Sequence, residues 1–293
     1  MKPSTPSDAT ILSVLGAADA ACLGAGGEAC VYALPGQRVA RIMRPGARLV
    51  DADARAALLG EIAGSAGTLS FRTPVVESVE VVEDRIVVLE ERLPGEPVSK
   101  LLQALSGVAR SQLLADFLET AIRIRQARIS RPYIGPLIGD RSLRVARWSD
   151  FTRARVMANV HRCPADLRSA VLREASVVWA EPPAAKLVHL DYFPPNVLAE
   201  GDAVTAVLDF GISSVIGDPR MEAWSAVAYL DAEISPPARD EDRQQAMAWL
   251  AARGLAEDYP KARRWLAAAW SHAADDENLM SWCRRILLTS NGR

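Results

Sequence analysis

The sequence is poor in histidine and cysteine, and each shortage excludes a class of site. Its 293 residues include only three histidines and four cysteines. The cysteines are too scattered for a zinc knuckle and too few for a disulfide framework. Three histidines in different regions offer little to a protein-bound transition metal. We therefore expect neither a structural zinc site nor a disulfide scaffold.

The sequence also lacks a net basic charge and a long apolar run. Its 34 basic and 36 acidic side chains give a formal net charge of -2, so nucleic acid is not an expected partner. The early apolar run 9–18 is too short to span a bilayer, and Asp8 is expected to cap a helix there. No membrane partner is expected, and a cytoplasmic location follows by default.

What the sequence does contain is a change from strand patterns to helix patterns. Strands are predicted at residues 21–23, 30–34, 38–43, 75–82 and 85–90, with one helix at 51–66 among them. The proline- and glycine-rich segment 93–97 is the predicted linker. Beyond it, helices are predicted at 150–160, 165–179, 220–231, 240–252, 260–273 and 276–288, and strands at 186–189, 197–199 and 204–208. The expected fold is α+β, with residues 1–92 as a small β-rich lobe and residues 93–293 as a larger helical lobe.

The clearest chemical signal is the run HLDYFPPN at His189–Asn196, followed by the triplet DFG that begins at Asp209. A hairpin predicted between them, turned at Gly201, brings Asn196 close to Asp209. Asp191 lies at the other side of the same loop, five residues before Asn196. Three oxygen-bearing side chains thus converge, and oxygen ligands are what hard cations such as Mg²⁺ require, while a remaining carboxylate can act as a base.

The pattern H-x-D-x-x-x-x-N followed by D-F-G resembles the catalytic-loop and metal-binding signature of the protein-kinase-like superfamily. The short spacing between the DFG triplet and the Gly217–Pro219 turn resembles that of the small-molecule branch of this superfamily, the aminoglycoside phosphotransferase and choline kinase group. The resemblance implies a two-lobed kinase-like fold, Mg²⁺, and ATP or GTP as co-substrate. It implies that Asp191 orients and deprotonates an acceptor hydroxyl, and that Asn196 and Asp209 hold Mg²⁺.

The N-terminal strands contain further parts that this resemblance implies. Gly24, Gly26 and Gly27 match a phosphate-covering glycine-rich loop, with Ala29 in place of its third glycine. Arg41 occupies the place of the usual strand lysine and keeps its positive charge, although its geometry differs.

Two more nucleotide contacts are expected from the same lobe. Glu61, on the predicted helix between the strands, is the expected partner of Arg41, and the alternative is a solvated helix charge. The last strand ends in the expected hinge, whose backbone contacts the adenine edge through Glu90, Glu91 or Arg92.

Acceptor specificity depends on charge patterns. Residues 222–242 carry six acids, among them Asp231 and Glu233, against one base. In the resembling family this stretch lines the acceptor cleft, so a cationic, antibiotic-like amine is the expected acceptor. The arginine-rich stretch 123–162 keeps an anionic or neutral metabolite open as the alternative. The alternative for each of these two charged stretches is a solvated surface with no role in acceptor binding.

The predicted function is therefore transfer of a γ-phosphate from ATP or GTP to a hydroxyl of a small molecule. One rival is a catalytically silent pseudokinase that uses the same cleft for binding, and Arg41 is its only support. A second rival is a kinase of protein side chains. The five residues between Gly211 and Gly217 leave no room for an activation segment and argue against it.

Overall fold

A five-stranded antiparallel sheet forms the N-terminal part of the computed structural model, which describes residues 7–289. The elements of this part are α1 (Asp8–Val14), β1 (Cys22–Ala25), β2 (Ala29–Leu34), β3 (Arg38–Met43), α2 (Leu49–Ala63), β4 (Val76–Val82) and β5 (Arg85–Glu91). The strands are ordered β1-β2-β3-β5-β4. Glu83 and Asp84 form the tip of the β4–β5 hairpin, with left-handed φ angles of 49° and 60°.

Helix α1 is capped by Ser7 and not, as predicted, by Asp8. The Ser7 side chain accepts a hydrogen bond from the backbone N–H of Thr10 (3.2 Å), as serine at a helix start commonly does. Asp8 lies one residue inside the helix. Its carboxylate accepts hydrogen bonds from the Tyr32 hydroxyl (3.0 Å) and from Arg85 (3.1 Å), which join α1 to the sheet.

The larger C-terminal part is mostly helical and contains two small sheets. Its elements are β6 (Glu96–Pro97), α3 (Val98–Ala104), α4 (Gly107–Arg123), β7 (Gly135–Pro136), α5 (Trp148–Asn159), α6 (Arg168–Glu174), β8 (Lys186–Val188), β9 (Val197–Glu200), β10 (Ala203–Val207), β11 (Val215–Gly217), α7 (Arg220–Ala228), α8 (Asp240–Ala252), α9 (Tyr259–Trp270) and α10 (Glu277–Leu288). The sheets have the orders β10-β9-β6 and β7-β11-β8. The predicted α+β fold, a β-rich lobe followed by a helical one, is confirmed.

The predicted linker, residues 93–97, packs against the C-terminal part. Leu93 is buried against residues of β9 and β10. Gly95 has a φ of 104°, and a Cβ there would lie 3.0 Å from the carbonyl oxygen of Ala199, so only glycine fits this approach. The next two residues pair with β9 as β6. A lobe boundary between residues 92 and 93 stays a prediction.

One hydrophobic core extends from the helical lobe to helix α2 of the β-rich lobe. Leu59 and Ile62 of α2 belong to the same buried cluster as Phe117 of α4 and Trp224 of α7. Because burial of apolar surface is the main favourable contribution to folding, this shared cluster holds α2 of the β-rich lobe against the helical lobe. Within residues 7–289, no helix combines the length and the apolar character needed to cross a membrane.

Gly217, the last residue of β11, offers a test of this packing. A Cβ on Gly217 would lie 2.4 Å from the ring of Trp148, which is fully buried. We expect Gly217→Ala to lower the free energy of unfolding by about 1–3 kcal/mol, the usual range for overpacking. Denaturant unfolding measures the change.

Gly60→Ala is the matched control, since a Cβ on this residue of α2 meets nothing within 4 Å. Its stability should equal or exceed that of the wild type, because alanine favours a helix over glycine. Equal stability of Gly217→Ala and the wild type would contradict the described contact with Trp148.

Candidate active site

The turn after β8 is held by a buried carboxylate from α7. Glu222 accepts hydrogen bonds from the backbone N–H groups of His189 and Leu190, the latter at 3.4 Å. Leu190 has a φ of 59°, a left-handed conformation that branched side chains rarely adopt. Burial raises the pKa of Glu222 to about 8. The left-handed backbone of Leu190 is strained. Backbone strain of this kind persists only where neighbouring contacts enforce it, and it is common at functional sites.

His189 is a scaffold of this turn. Its Nε2 lies 2.7 Å from the carbonyl oxygen of Leu208, and its Nδ1 accepts from the backbone N–H of Asp191 (3.2 Å). The ring is fully buried and lies 4.4 Å from the ring of Phe210. Burial lowers the pKa of His189 to about 4, so the imidazole is neutral at physiological pH. The neutral ring therefore donates from Nε2 and connects the turn to the strand that precedes Asp209.

Asp191, the predicted catalytic residue, is oriented by two neighbouring side chains. The Tyr229 hydroxyl donates to Oδ1 at 3.1 Å. Asn196 donates from Nδ2 to Oδ2 at 3.2 Å and to the backbone carbonyl of Asp191 at 3.1 Å. Burial raises the pKa of Asp191 to about 7, and the nearby Asp209 carboxylate contributes in the same direction. The two side-chain hydrogen bonds thus hold the Asp191 carboxyl group in one orientation.

Tyr229 and Glu222 are site residues that the sequence analysis missed. Tyr229 stacks on Trp270, with ring centroids 4.5 Å apart, and contacts Phe193 on its other side at 5.0 Å. Both missed residues are in or directly after α7, where every residue from Met221 to Ala228 is buried. An acid in so apolar a helix was the available signal, because a buried carboxylate needs partners.

The hairpin of β9 and β10 brings Asn196 and Asp209 together, as predicted. The backbone N–H of Leu208 donates to the carbonyl of Asn196 at 2.7 Å, and Val197 is paired with Val207 directly beyond. Asp209 follows with a φ of 56°, which is uncommon for a residue with a side chain. The loop and the hairpin therefore converge on one point.

The oxygen atoms at this point fit Mg²⁺. Asn196 donates through its amide nitrogen, so its Oδ1 has no donor in the described part of the chain. One Asp209 oxygen accepts from Arg41, and the other is similarly open among the described residues. Burial alone would raise the pKa of Asp209, but the guanidinium groups of Arg41 and Arg55 outweigh it and hold that pKa below its ordinary value. An amide oxygen and an ionised carboxylate are hard ligands of the kind that Mg²⁺ takes together with water and phosphate oxygens.

The hairpin of β1 and β2 holds the three glycines predicted to cover phosphates. Gly24 lies in β1, while Gly26 and Gly27 form the turn. A Cβ on Gly24 or Gly27 would meet nothing within 4 Å, so the space beside them is open. Arg44 braces the turn by donating from Nε to the Gly26 carbonyl at 3.2 Å. The phosphate-binding role of these glycines stays a prediction.

Glu28, at the end of that turn, is a further residue that the sequence analysis did not single out. Burial raises its pKa, and the Asp209 carboxylate raises it further, whereas Arg41 and Arg55 lower it.

Arg41 belongs to four charged side chains that we call the charge cluster: Arg41, Arg55, Glu90 and Asp209. Arg41, on β3, donates from Nη2 to Asp209, and its Nε lies 3.6 Å from Glu90 Oε1. Arg55, on α2, donates from Nη1 to the same Glu90 oxygen. Arg41, Arg55 and Glu90 are 9%, 7% and 3% exposed. Because buried charges need partners of opposite sign, the two guanidinium groups share the one carboxylate of β5.

The predicted pairing of Arg41 with Glu61 is wrong. The Glu61 side chain is 44% exposed and forms an ion pair with Arg131 at 2.7 Å. Arg55 and Glu61 are six residues apart in α2, which places them on different faces of the helix. Arg55 faces the sheet, so helix α2 contributes a cation to the charge cluster and Glu90 of β5 supplies the carboxylate.

The expected hinge also uses its groups differently from the prediction. The side chain of Glu90 belongs to the charge cluster. The backbone N–H groups of Glu91 and Arg92 donate to the carbonyls of Val75 and Gln37, at 2.9 and 2.8 Å. Glu91 and Arg92 therefore have no free backbone N–H group to offer an adenine edge. The adenine contact of this segment stays a prediction.

Comparison with known proteins identifies the family to which this site belongs. The family model described as "Phosphotransferase enzyme family" matches residues 24–265. The chain belongs to the phosphotransferase enzyme family. The resemblance drawn from the catalytic loop is thereby confirmed, as is the enzyme class. No curated protein matches the sequence.

Solved structures similar to this phosphotransferase share its fold at low sequence identity. A thermostable mutant of aminoglycoside phosphotransferase APH(4)-Ia, in a ternary complex with AMP-PNP and hygromycin B, is 18% identical, with a TM-score of 0.66 over 98% of this chain and 100% of that one. The streptomycin–ATP complex of APH(2'')-IIa is 16% identical, with a TM-score of 0.61 over 98% of both chains. Macrolide 2'-phosphotransferase MphH from Brachybacterium faecium is 16% identical, with a TM-score of 0.55 over 97% of this chain and 99% of that one.

Asp231 and Glu233, the predicted acceptor residues of this phosphotransferase, are both ion-paired with Arg285 of α10. Arg285 Nη2 lies 2.7 Å from Asp231, and its Nε lies 2.5 Å from Glu233. An amine-bearing acceptor would reach the two carboxylates only in competition with this guanidinium. Their acceptor role stays a prediction.

The acidic run 222–242 is not one open carboxylate surface, which corrects that interpretation of the sequence. Glu222 holds the catalytic turn, and Asp242 forms a buried ion pair with Arg110 of α4. Together with the two acids on Arg285, four of the six acids in the run have partners within the fold. Their charge is therefore largely neutralised before any acceptor binds.

Glu90 and Glu61 provide a direct test of the charge cluster. Glu90→Gln should lower the free energy of unfolding by about 3–5 kcal/mol, because it leaves two buried guanidinium groups without their shared carboxylate. Glu61→Gln removes an exposed ion pair and should cost at most about 1 kcal/mol. Urea unfolding of both variants checks the difference. If the two substitutions had equal effects, the assignment of Glu90 as the buried partner would be refuted.

Proposed function

We propose that this member of the phosphotransferase family transfers the γ-phosphate of ATP or GTP to a hydroxyl group of a small, amine-bearing, antibiotic-like acceptor. The proposal depends chiefly on one observation. Asp191, Asn196 and Asp209 converge at one point of the cleft, with Arg41 from the opposite lobe bonded to Asp209. Phosphoryl transfer requires positioning and charge neutralisation more than covalent chemistry, and these groups can supply both.

Asp191 is the proposed group that orients the acceptor hydroxyl and takes its proton. The hydrogen bonds from Tyr229 and Asn196 hold its two carboxylate oxygens in place. Fixing the carboxylate before the acceptor arrives lowers the entropic cost of reaching the reactive geometry. The proton moves from the acceptor hydroxyl to Asp191 as the hydroxyl oxygen attacks the γ-phosphorus, the bond from that phosphorus to the β,γ-bridging oxygen breaks, and ADP or GDP leaves.

The nucleotide triphosphate is the proposed ligand of the other polar groups of the site. Bound Mg²⁺, held by Asn196 and Asp209, would supply neutralisation of phosphate charge. Arg41 would orient phosphate oxygens, and the Gly24–Gly27 hairpin would cover them with backbone N–H groups. The nucleotides in the similar structures include AMP-PNP, ATP and GDP, which supports a nucleotide co-substrate of either base.

The acceptor class is proposed from the similar structures and from the aromatic side of the cleft. Hygromycin B, streptomycin and kanamycin occupy three of those structures. Phe193, which packs against Tyr229 beside Asp191, is partly exposed, and an aromatic ring at this position can contact a cationic amine. Asp231 and Glu233 are proposed to contact an acceptor amine once Arg285 releases them.

A screen of the purified protein would test the proposed function. ADP or GDP release would be followed with each nucleotide against amine-bearing antibiotics, neutral sugars and nucleosides, and anionic metabolites. We expect acceptor-dependent release with an amine-bearing antibiotic. Turnover only with a neutral or anionic acceptor would refute the acceptor class. Nucleotide binding without turnover on any acceptor would favour the silent pseudokinase.

Asp191→Asn should reduce kcat by about 10²–10⁴-fold, the usual contribution of general-base assistance. Nucleotide affinity should stay close to that of the wild type, because the proposed base contacts the acceptor and not the triphosphate. Steady-state kinetics and nucleotide titration measure the two quantities. Asp202→Asn, in the exposed turn between β9 and β10, is the matched control and should behave as the wild type. More than a third of wild-type kcat in Asp191→Asn would disprove the assignment.

Asp209→Asn should instead weaken Mg²⁺-dependent nucleotide binding, since a neutral amide replaces the carboxylate at the proposed metal position. The readout is the rise in melting temperature on adding Mg²⁺ and a non-hydrolysable triphosphate. Wild type should show the rise and Asp209→Asn should lose most of it. A rise of wild-type size in the variant would exclude Asp209 as a metal ligand.

A further inference from the structure

We propose that Arg55 is a second phosphate-binding residue, so that Arg41 on β3 and Arg55 on α2 together hold the phosphate chain of the nucleotide. This inference rests on the proposed function and deepens it, because it assigns a nucleotide contact to helix α2. The predicted nucleotide-binding residues did not include Arg55.

The first observation is a hydrogen-bond donor without an acceptor. Arg55 donates from Nη1 to Glu90, but its Nη2 is buried and has no hydrogen-bond partner among the described residues. Buried polar groups in folded proteins nearly always have a partner, and leaving one without costs free energy. A ligand oxygen would satisfy this donor.

The second observation is that Arg41 also has a buried N–H group without an acceptor, next to the same Glu90 carboxylate. Arg41 Nε is buried without a hydrogen bond in residues 7–289, and it lies 3.6 Å from the Glu90 oxygen that Arg55 contacts. Two guanidinium groups therefore converge on one carboxylate oxygen, and each keeps a free N–H. A planar guanidinium with a free N–H is suited to phosphate oxygens, which accept several hydrogen bonds at once.

The third observation is the position of Arg55 relative to the proposed metal ligands. Arg55 contacts the same Glu90 oxygen as Arg41, and Arg41 donates to Asp209. This chain of contacts connects helix α2, through Glu90 and Arg41, to the point at which the nucleotide phosphates are proposed to bind.

A purely structural role for Arg55 is the competing explanation. In that case Arg55 only neutralises Glu90, and its removal destabilises the protein without a specific effect on phosphate binding. The unpartnered Nη2 argues against this explanation, because a residue that served only to neutralise Glu90 would leave this buried donor without an acceptor, at a cost in free energy.

The test separates phosphate binding from folding. Dissociation constants are measured for a non-hydrolysable triphosphate with Mg²⁺ and for the matching nucleoside, and their ratio isolates the contribution of the phosphates. Arg55→Met should weaken triphosphate binding by about 10-fold or more, as for the loss of a hydrogen bond to a charged group. Nucleoside binding should change by less than about twofold, since its contacts are elsewhere.

Arg55→Lys keeps a cation beside Glu90 and loses the planar fork, so it covers the case in which Arg55→Met does not fold. It should fold and lose triphosphate affinity while nucleoside affinity is retained. Arg72→Met is the matched control, because Arg72 pairs with Glu91 at the exposed surface of the same lobe (2.7 Å). Both of its dissociation constants should equal those of the wild type.

An unchanged ratio in folded Arg55→Met or Arg55→Lys would overturn the role of Arg55 and leave the proposed function intact. If the wild-type protein bound neither an ATP analogue nor a GTP analogue, the proposed function would be refuted, and the role of Arg55 with it.

Discussion

The ion pair between Arg41 and Asp209 is the contact on which the rest of the site depends. Arg41 belongs to the N-terminal sheet, and Asp209 follows the hairpin that carries Asn196. Their bond joins the two lobes across the cleft and favours the ionised form of Asp209. Arg41 is buried and Asp209 is partly exposed, so separating the lobes would deprive a buried guanidinium of one of its two anionic neighbours.

The helical lobe imposes the complementary constraint. Glu222 holds the two N–H groups after β8, and this contact maintains the left-handed backbone of Leu190. Tyr229, about two turns farther along the same chain segment, bonds to Asp191. Segment 222–229 therefore fixes both the backbone and the carboxylate of the catalytic loop, and the core that contains Trp224 keeps it rigid.

Much of this site is predictable from sequence because its parts are local. Asp191 and Asn196 share one loop, and a short hairpin leads to Asp209, so sequence spacing alone brings the three together. The strands and helices follow from apolar periodicity, and the fold class follows from their order. The capping of α1 by Ser7 shows the limit of such local rules, since two adjacent residues competed for one role.

The charge cluster was not predictable in the same way, because it joins β3, α2, β5 and the catalytic loop. Which acid meets Arg41 depends on tertiary packing, and Glu61 and Glu90 are equally charged in the sequence. One signal was nevertheless present. Arg55 occupies the helical spacing of the buried residues Ala52, Leu59 and Ile62, so it had to be a buried cation with a partner.

The central claim is that this cleft transfers a phosphoryl group to a small-molecule hydroxyl. The most direct measurement uses ATP or GTP labelled in the γ-phosphate and follows the label by chromatography and mass spectrometry. We predict that the label appears as a phosphate ester on the acceptor, in amounts equal to the nucleoside diphosphate formed. Label found only in inorganic phosphate, at a rate that does not depend on acceptor, would contradict the claim.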